Sequence, residues 1–463
     1  MKIHFKTSLL MFALVASASI QGQTPDQLAA LKRAKTDSLT AANYQQALNM
    51  LGVKLPILPS MVDDPNRPES VTQRVGSTEF FDKQGNHCPR SPWGGWINFD
   101  ENIAKNYSLP NPLVLKNGKP VTSAAIWWKQ RRPEIVNDYE SEIFGRVPKK
   151  IPKVTFEVTS VENTALDGAA IKKMIVGHID NSAYPAAKPV INIALYLPTH
   201  VSSSVPLMLL VSSNTNGNLK TIKLLNSKGW AVAIFDTNSL QADNGAGLNE
   251  GIIGLINKGK YRTPENWGVL RAWSWGMSRA LDYFQTEKAI NPKQFGIEGH
   301  SRGGKTALLA GAMDARWAIV YASCSGSMGA SLERRNFGET VGLVAASNEF
   351  HWMAPNFLKY GGNFATTLPV DAHEMMALIA PRPLFITGGT QDSWADPKGE
   401  FDACVAATPV YKLLGQTGIT VTEFPAPNVP LINGELAYRF HEGGHTDEPD
   451  WPVFLEFASK YIK

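Results

Sequence analysis

A serine at position 301 stands in a motif that is typical of nucleophilic enzymes. Residues 299–303 have the sequence Gly-His-Ser-Arg-Gly, which matches the G-x-S-x-G pattern of a nucleophile elbow. The pattern is common by chance, so its meaning depends on its surroundings. An apolar run at residues 292–298 predicts a buried strand, and residues 305–313 are small, apolar and helix-favouring. A sharp strand–turn–helix would project the Ser301 hydroxyl above a sheet, with a helix N-terminus behind it.

A serine nucleophile needs a general base, and two histidines late in the sequence are the candidates. In enzymes with such an elbow, the catalytic serine comes first along the chain, then the acid, and then the histidine. That order leaves His441 and His445 out of nine histidines. We favour His445, because the two glycines before it allow a loop to turn its side chain into a site. His441 is the alternative, and otherwise it only supports the site.

Asp392 is the candidate for the acid that orients the histidine. Residues 382–388 predict a buried strand, and a glycine turn and Asp392 follow it. A simpler interpretation is that Asp392 caps the next helix. Its place between that strand and the histidine loop favours catalysis, with Asp371 and Asp396 as weaker competitors.

The negative charge that develops on a reacting carbonyl oxygen needs hydrogen-bond donors. The backbone N–H of Arg302, at the start of the elbow helix, is one candidate donor, and the Arg302 guanidinium is cationic at every working pH. The loop at residues 213–218 either supplies another donor or is only a tight turn.

The elements around these residues alternate between strand and helix. Helical apolar stripes occur at residues 123–144, where Ile135, Tyr139 and Ile143 are spaced by four, and at residues 266–290. Strands are predicted at residues 153–160, 174–179, 190–197, 205–213, 231–236, 317–324, 382–388 and 419–424. This alternation predicts a doubly wound, mostly parallel α/β sheet, and the elbow narrows it to an α/β-hydrolase.

Three segments are predicted along the 463 residues. Residues 1–22 have a basic start and a short apolar stretch, which is typical of a secretory signal peptide cleaved between Ala18 and Gln23, so we expect an exported protein. Residues 23–108 form an N-terminal extension to which no chemistry is assigned. Residues 109–463 form the hydrolase domain.

The composition excludes several classes of function. The net charge is only +4 and evenly spread, so nucleic acid and an anionic membrane are not expected partners. Three cysteines form neither a disulfide framework nor a zinc motif. Because no metal cluster and no glycine-rich phosphate loop appears, we expect no cofactor and no metal. The oligomeric state is left open, with a monomer expected.

The elbow and several later segments resemble the glucuronoyl esterases of carbohydrate esterase family 15. The shared features are the elbow continued to Lys305, residues 334–340 (Arg-Arg-Asn-Phe-Gly-Glu-Thr), residues 350–353, residues 380–384 (Ala-Pro-Arg-Pro-Leu), residues 392–394 (Asp-Ser-Trp) and residues 443–445 (Gly-Gly-His). The resemblance covers most of residues 109–463. It implies hydrolysis of the ester between 4-O-methyl-glucuronic acid on xylan and an alcohol of lignin.

The same resemblance implies roles for individual residues. Ser301 would be the nucleophile, Arg302 the oxyanion stabiliser and His445 the base. Lys305, Glu339 and Trp394 would hold the sugar. Lys and Glu offer partners for hydroxyl groups, and an indole covers an apolar sugar face. The alternatives are a surface ion pair for Lys305 and Glu339, and core packing for Trp394.

One departure from the family pattern affects the acid. Many members carry a glutamate just after the strand that follows the elbow, but here residues 322–326 read Ala-Ser-Cys-Ser-Gly. This strengthens Asp392 as the acid. Two other functions compete with the glucuronoyl esterase: an acetyl or feruloyl carbohydrate esterase, and a catalytically silent carbohydrate-binding protein. The complete set of Ser301, Asp392 and His445 argues against the silent protein.

Overall fold

The molecule is organised around a nine-stranded sheet. The computed structural model describes residues 24–105, 107–362 and 365–462, so the predicted signal peptide at residues 1–22 lies outside the described residues. The strands of the sheet are β1 (Val154–Ala165), β2 (Ala170–Ile179), β3 (Val190–Pro198), β4 (Val205–Ser212), β5 (Ala231–Asp236), β6 (Ile290–His300), β7 (Trp317–Ser323), β8 (Leu384–Gly389) and β9 (Leu436–His441).

The sheet is mostly parallel and doubly wound. Its strands lie in the order β9-β8-β7-β6-β4-β5-β3-β2-β1. Strands β4 to β9 run parallel to one another, whereas β3 pairs antiparallel with β5, and β1 and β2 continue the sheet as an antiparallel edge. This architecture confirms the predicted fold class. Because β6, β7, β8 and β9 are neighbours, their carboxyl ends lie side by side at one edge.

Helices cover the sheet. In the described part of the chain, those of eight or more residues are α1 (Pro25–Leu51), α2 (Leu219–Ser227), α3 (Val269–Phe284), α4 (Arg302–Met313), α5 (Ala372–Ile379), α6 (Pro397–Leu413) and α7 (Trp451–Ala458). Shorter α-helical turns are Glu101–Ala104, Ala124–Ile126, Arg132–Asp138, Thr237–Leu240, Gly251–Asn257 and Val341–Val344, and the 3-10 turns are Ala246–Asn249, Phe350–Trp352, Pro355–Tyr360, Ala365–Thr367, Ser393–Ala395 and Glu448–Asp450. Among the described residues, no helix has the length and hydropathy that crossing a membrane requires.

The core lies on both faces of the sheet. Along β4, Leu207 and Leu209 belong to one buried apolar cluster, and Met208 and Leu210 belong to another. Alternate residues of a strand point to opposite faces, so the two clusters are the two layers on either side of the sheet. This double burial explains why the central strands are continuous apolar runs rather than alternating ones.

The predicted helix at residues 123–144 keeps its apolar face but not its regular geometry. Ile135, Tyr139 and Ile143 are all buried. The segment contains two π-helical stretches, Trp127–Arg131 and Tyr139–Ile143. Proline has no N–H to donate, so Pro133 interrupts the regular ladder of this segment. The N–H of Arg132, just before it, bonds to the carbonyl of Trp127, five residues back.

The strand predicted at residues 419–424 is wrong. The structure assigns no strand to these residues, and most of their side chains are exposed. Alternation of apolar and polar residues predicts a strand only where a neighbouring strand is available for pairing.

The N-terminal extension packs against the main domain, and three of its hydrogen bonds go to residues 336–345. The hydroxyl of Tyr44 and the indole N–H of Trp93 both donate to the carbonyl of Ala345, at 3.0 and 3.2 Å. The Asn98 amide donates to the carbonyl of Asn336 at 2.7 Å. The extension therefore holds residues 336–345 at both ends. Its division from the hydrolase domain at residue 109 stays a prediction. A short ribbon within it pairs Thr72–Gln73 with Phe80–Phe81.

Candidate active site

Ser301 lies in a strained turn between β6 and α4. Its φ of 57° and ψ of −127° are a conformation that non-glycine residues rarely adopt. A Cβ on Gly299 would lie 2.0 Å from the carbonyl oxygen of Gly303, so only glycine fits there. The two arms of the turn can thus approach closely, and the serine stands at the N-terminus of α4. Ordinary strand and helix geometry on either side maintains this strain.

Asp392 and His445 form a hydrogen-bonded pair beside Ser301. Asp392 follows β8, His445 follows β9, and the distance from His445 Nδ1 to Asp392 Oδ2 is 2.7 Å. The Asp392 carboxylate is buried, whereas the His445 side chain is 42% exposed. With Nδ1–H donated to the carboxylate, Nε2 is left as the basic nitrogen. Ser301 and His445 line the same cavity.

The His300 ring packs against that of His445. Its centroid lies 4.3 Å from that of His445. Burial and the nearby charge of His445 lower the pKa of His300 to about 4, so His300 stays neutral at working pH.

His441 supports the loop that carries His445. It is fully buried, with Nδ1 2.9 Å from Asp450 Oδ2 and Nε2 3.0 Å from the carbonyl of Gly444. Burial opposes a charge here, but the Asp450 carboxylate and the Gly444 carbonyl overcome it and raise the pKa of His441. Nε2 faces an acceptor and Nδ1 lies within ion-pair distance of a carboxylate, as suits an imidazolium.

The structure also places the two competing aspartates. Asp371 caps α5 and pairs with Arg334 at 2.9 Å. Asp396 caps α6 and pairs with Arg335 at 2.9 Å. Both carboxylates cap a helix and pair with a buried arginine. The carboxylate that lies beside His445 belongs to Asp392.

The guanidinium of Arg302 is held by a carboxylate that the sequence did not point to. Arg302 Nη1 lies 2.5 Å from Asp243 Oδ2, and its guanidinium lies over the ring of Trp352. Asp243 also contacts His351 Nε2 at 2.9 Å and accepts from the indole N–H of Trp352 at 2.7 Å. Despite burial, these groups and the Arg302 charge hold the pKa of Asp243 well below its usual range. Asp243 therefore stays anionic and fixes the direction of Arg302.

The loop at residues 213–218 shows internal turn bonds. The N–H of Asn214 donates to Ser212 Oγ, and that of Asn216 to Asn214 Oδ1. Asn218 caps α2. These bonds fit the tight turn that the sequence allowed, and a second oxyanion donor from this loop stays a prediction.

Lys305 and Glu339 form a buried ion pair rather than a surface one. The Nζ–Oε2 distance is 2.6 Å, and both side chains are nearly inaccessible. Lys305 Nζ also donates to the carbonyls of Ser325 and Ser327, at 2.7 and 2.5 Å. An ammonium has three donors, so those of Lys305 are all engaged within the protein. Glu339 lines the cavity and is the member of the pair that is available as an acceptor.

Trp394 lines the cavity and is 38% exposed as a residue, so it is not a core residue. Its carbonyl accepts from the N–H of Glu339 at 2.8 Å. Gly338 permits this approach, because its φ is +64° and a Cβ there would lie 2.4 Å from the Trp394 carbonyl oxygen. The loops of Glu339 and Trp394 are thus joined into one wall.

Glu349 and Trp352 are cavity residues that the sequence did not suggest. Both line the space of about 170 Å³ that also contains Ser301, Arg302, Glu339 and Trp394. Glu349 Oε2 is buried without a hydrogen-bond partner in the protein. Burial and the nearby Glu339 charge raise the pKa of Glu349 to about 7. A free acceptor in a cavity suits a ligand hydroxyl group.

A second cavity of about 450 Å³ also borders the serine. Ser301, Arg302 and His445 line both spaces, and the larger one is otherwise bordered by Ser213, Asn238, Asp243, Trp273 and His300. Ser301 is therefore reached from two separate spaces. Among the described residues, one group of metal-ligand type occurs, namely Cys324, Asp392 and His445, and Cys324 and His445 line the smaller cavity.

Known proteins are similar to this one over most of the chain. A family model described as glucuronyl esterase, fungi, matches residues 186–415. Carbohydrate esterase MZ0003, from an unknown prokaryotic organism, is 34% identical over 79% of this chain and 92% of its own length. The 4-O-methyl-glucuronoyl methylesterase 1 of Wolfiporia cocos is 28% identical over 67% of this chain and 73% of its own. The solved structure of a CE15 glucuronoyl esterase from Teredinibacter turnerae is 35% identical, with a TM-score of 0.79, over 91% of this chain and 99% of that one.

Proposed function

Because the chain belongs to the glucuronoyl esterases of carbohydrate esterase family 15, which are carboxylic ester hydrolases with the α/β-hydrolase fold, we propose that it is an exported serine esterase. Its substrate is the ester between 4-O-methyl-glucuronic acid of glucuronoxylan and a lignin alcohol. The observation that carries this proposal is the Asp392–His445 pair beside Ser301, in a cavity whose walls include Glu339, Glu349 and Trp394.

The chemistry follows from the positions of the three residues. His445 Nε2 takes the proton of Ser301 Oγ as the oxygen attacks the ester carbonyl, and buried Asp392 stabilises the imidazolium that forms. The Arg302 N–H and guanidinium face the developing oxyanion. His445 then returns the proton to the leaving alcohol, and water releases the acid from the acyl-enzyme by the same steps.

The smaller cavity is the acyl-side site for the sugar. Glu339 and Glu349 accept hydrogen bonds from ring hydroxyls, and the indole of Trp394 covers an apolar face of the pyranose. Lys305 acts through Glu339, because its three donors are already engaged. It is thus a positioning residue in this proposal rather than a sugar ligand.

The larger cavity receives the alcohol. It is wide enough, at about 450 Å³, for an aromatic leaving group, and Trp273 contributes an apolar surface to it. Export is supported by the signal-peptide pattern of residues 1–22. It also suits a substrate that is part of an insoluble polymer outside the cell.

A comparison of substrates tests the function. The full chain should hydrolyse methyl or benzyl glucuronate with a far higher kcat/KM than p-nitrophenyl acetate, since the sugar site gives binding energy only to the uronate. Ser301→Ala should keep the fold and lose activity by at least ~10³-fold. Preferential release of acetate or ferulate from decorated xylan would instead favour the other carbohydrate esterases. Full turnover by Ser301→Ala would refute the serine mechanism.

A further inference from the structure

Three side chains of metal-ligand type meet at the carboxyl ends of neighbouring strands. Cys324 follows β7, Asp392 follows β8, and His445 lies on the loop after β9. The thiol sulfur, a carboxylate oxygen and an imidazole nitrogen all lie within 4.8 Å of one another. We propose that Cys324, Asp392 and His445 form a binding site for a thiophilic divalent cation of the zinc class, and that its occupation inhibits the esterase reversibly.

The ligand set suits such a cation. Zinc and cadmium favour sulfur and imidazole donors, and zinc is commonly bound by three side chains plus one water. In a tetrahedral site with bonds of 2.0–2.3 Å the ligand atoms lie about 3.5 Å apart. His445 Nδ1 and Asp392 Oδ2, which are 2.7 Å apart, would have to separate by about 0.8 Å, and the Cys324 sulfur would have to approach them by at most about 1.3 Å. Small side-chain rotations supply such a change.

A cation has a route to the site. Cys324 and His445 both line the smaller cavity that contains Ser301, and the His445 side chain is partly exposed. The left-handed backbone at Cys324, with φ of 48°, is fixed by a hydrogen bond from its N–H to the carbonyl of Thr387. The thiol is therefore held beside the pair rather than turned into the core.

Binding would disable the base. The metal takes His445 Nδ1, so the ring proton moves to Nε2, and the nitrogen that should accept the Ser301 proton no longer can. The Cys324 thiol gives its proton to water and binds as thiolate, which balances the charge: one cation is bound and one proton is released. Inhibition by this route rests on the proposed role of His445, but binding itself does not.

Cys324 is the residue that makes the proposed metal site specific to this chain. The family resemblance places a glutamate after β7 in many members, and a carboxylate there gives an all-oxygen and nitrogen site without soft character. Cys88 and Cys404 are also free and buried, but Cys88 packs against Phe80 and Trp96, and Cys404 lies on α6 in the main core. Both serve as matched control thiols.

The test uses the full chain, first freed of metal with a chelator. Zinc chloride should inhibit hydrolysis of a glucuronate ester, and EDTA should restore the rate. Cys324→Ala, compared with its own metal-free rate, should need at least ~10-fold more zinc for half inhibition, because one of three ligands is lost. Cys404→Ala and Cys88→Ala should respond as the unmodified chain does.

A second readout is independent of activity. In the inactive Ser301→Ala chain, cadmium should produce the ultraviolet absorption of a thiolate–cadmium bond at one equivalent, and the further substitution Cys324→Ala should remove it. The site would be overturned if the active enzyme showed no inhibition by zinc, or if Cys324→Ala were as sensitive to zinc as the unsubstituted chain. A cadmium band that survives the Cys324→Ala substitution would also overturn it. A cadmium band in Ser301→Ala, together with an absence of esterase activity in the unsubstituted chain, would instead support the site and remove the proposed function.

Discussion

Replacing Asp392 by asparagine should remove most of the activity without unfolding the protein. The carboxylate is buried and lies 2.7 Å from His445 Nδ1, so its charge acts on the imidazolium of the transition state with little screening by water. Unit charges about 4 Å apart interact by about 4 kcal/mol at an effective dielectric constant of 20. That energy corresponds to about a thousandfold in rate.

A second effect adds to this loss. Asparagine offers an amide N–H₂ to His445, which favours the tautomer with its proton on Nε2, where the base should be free. We therefore expect kcat to fall by 10³–10⁴, the order seen when a triad aspartate is made neutral, with KM for a glucuronate ester little changed.

The assay compares two neutralised aspartates. Asp396→Asn is the matched control, since Asp396 caps α6 and pairs with Arg335 away from His445. It should lower the melting temperature, because it leaves a buried arginine without its charge partner, but should keep kcat within about tenfold of the parent, an effect of stability rather than chemistry. Near-normal turnover by Asp392→Asn together with a collapse of kcat in folded Asp396→Asn would show that our assignment of the acid is wrong.

Three further outcomes are expected. Trp394→Ala should cost about 1–3 kcal/mol in kcat/KM on a glucuronate ester and little on p-nitrophenyl acetate. Trp128→Ala, which removes an exposed indole that does not line the cavity, should change neither rate. Equal losses on the two esters for Trp394→Ala would contradict a sugar contact. Asp243→Asn should lower kcat on both esters, by less than the 10²–10³ expected for deleting an oxyanion donor, and a change in KM alone would count against its role in directing Arg302. The pKa of His441 is raised in the folded state from 6.5, so the stability that its charge contributes is complete below about pH 6.5 and is lost as the pH rises through the folded pKa. The loss of unfolding free energy caused by His441→Gln should therefore shrink from acid to alkaline pH. A loss that stays constant with pH would refute the charged state of His441.

The sequence predicted the parts of the site that depend on local order. The elbow is contiguous: an apolar run, a glycine-flanked serine and a helix-forming segment specify β6, the turn at Ser301 and α4 without reference to the rest of the chain. The apolar runs of β4 and β5 were predictable for the same reason, because burial on both faces is visible in each strand alone. Asp392 and His445 were predictable from their place after strands.

The remaining site residues come from contacts between distant parts of the chain. Asp243 reaches Arg302 across 59 positions, and neither its neighbours nor its spacing distinguishes it from other aspartates. Glu349 became a cavity residue only once the structure showed its unpartnered oxygen. The state of Lys305 depended on two carbonyls about twenty residues away, which decide whether its donors are free. No periodicity encodes such relations.

The strand order explains why the carboxylate that contacts His445 can follow β8 instead of β7. Ser301 ends β6 and the His445 loop leaves β9, so the loop must cross the ends of β7 and β8 to reach the serine, a distance of about three strand spacings of 4.7–4.9 Å. A carboxylate at the end of either β7 or β8 would therefore lie close to the imidazole of His445. With Asp392 in that position, the turn after β7 is free for another use. Glu400 accepts from the N–H groups of Ser325 and Gly326, at 2.7 and 3.2 Å, and Lys305 binds the Ser325 carbonyl from the other side. The turn thus holds Lys305 and, through it, Glu339 at the wall of the smaller cavity. The position of Asp392 after β8 and the anchored Lys305–Glu339 ion pair at the turn after β7 are thus two consequences of the same strand order.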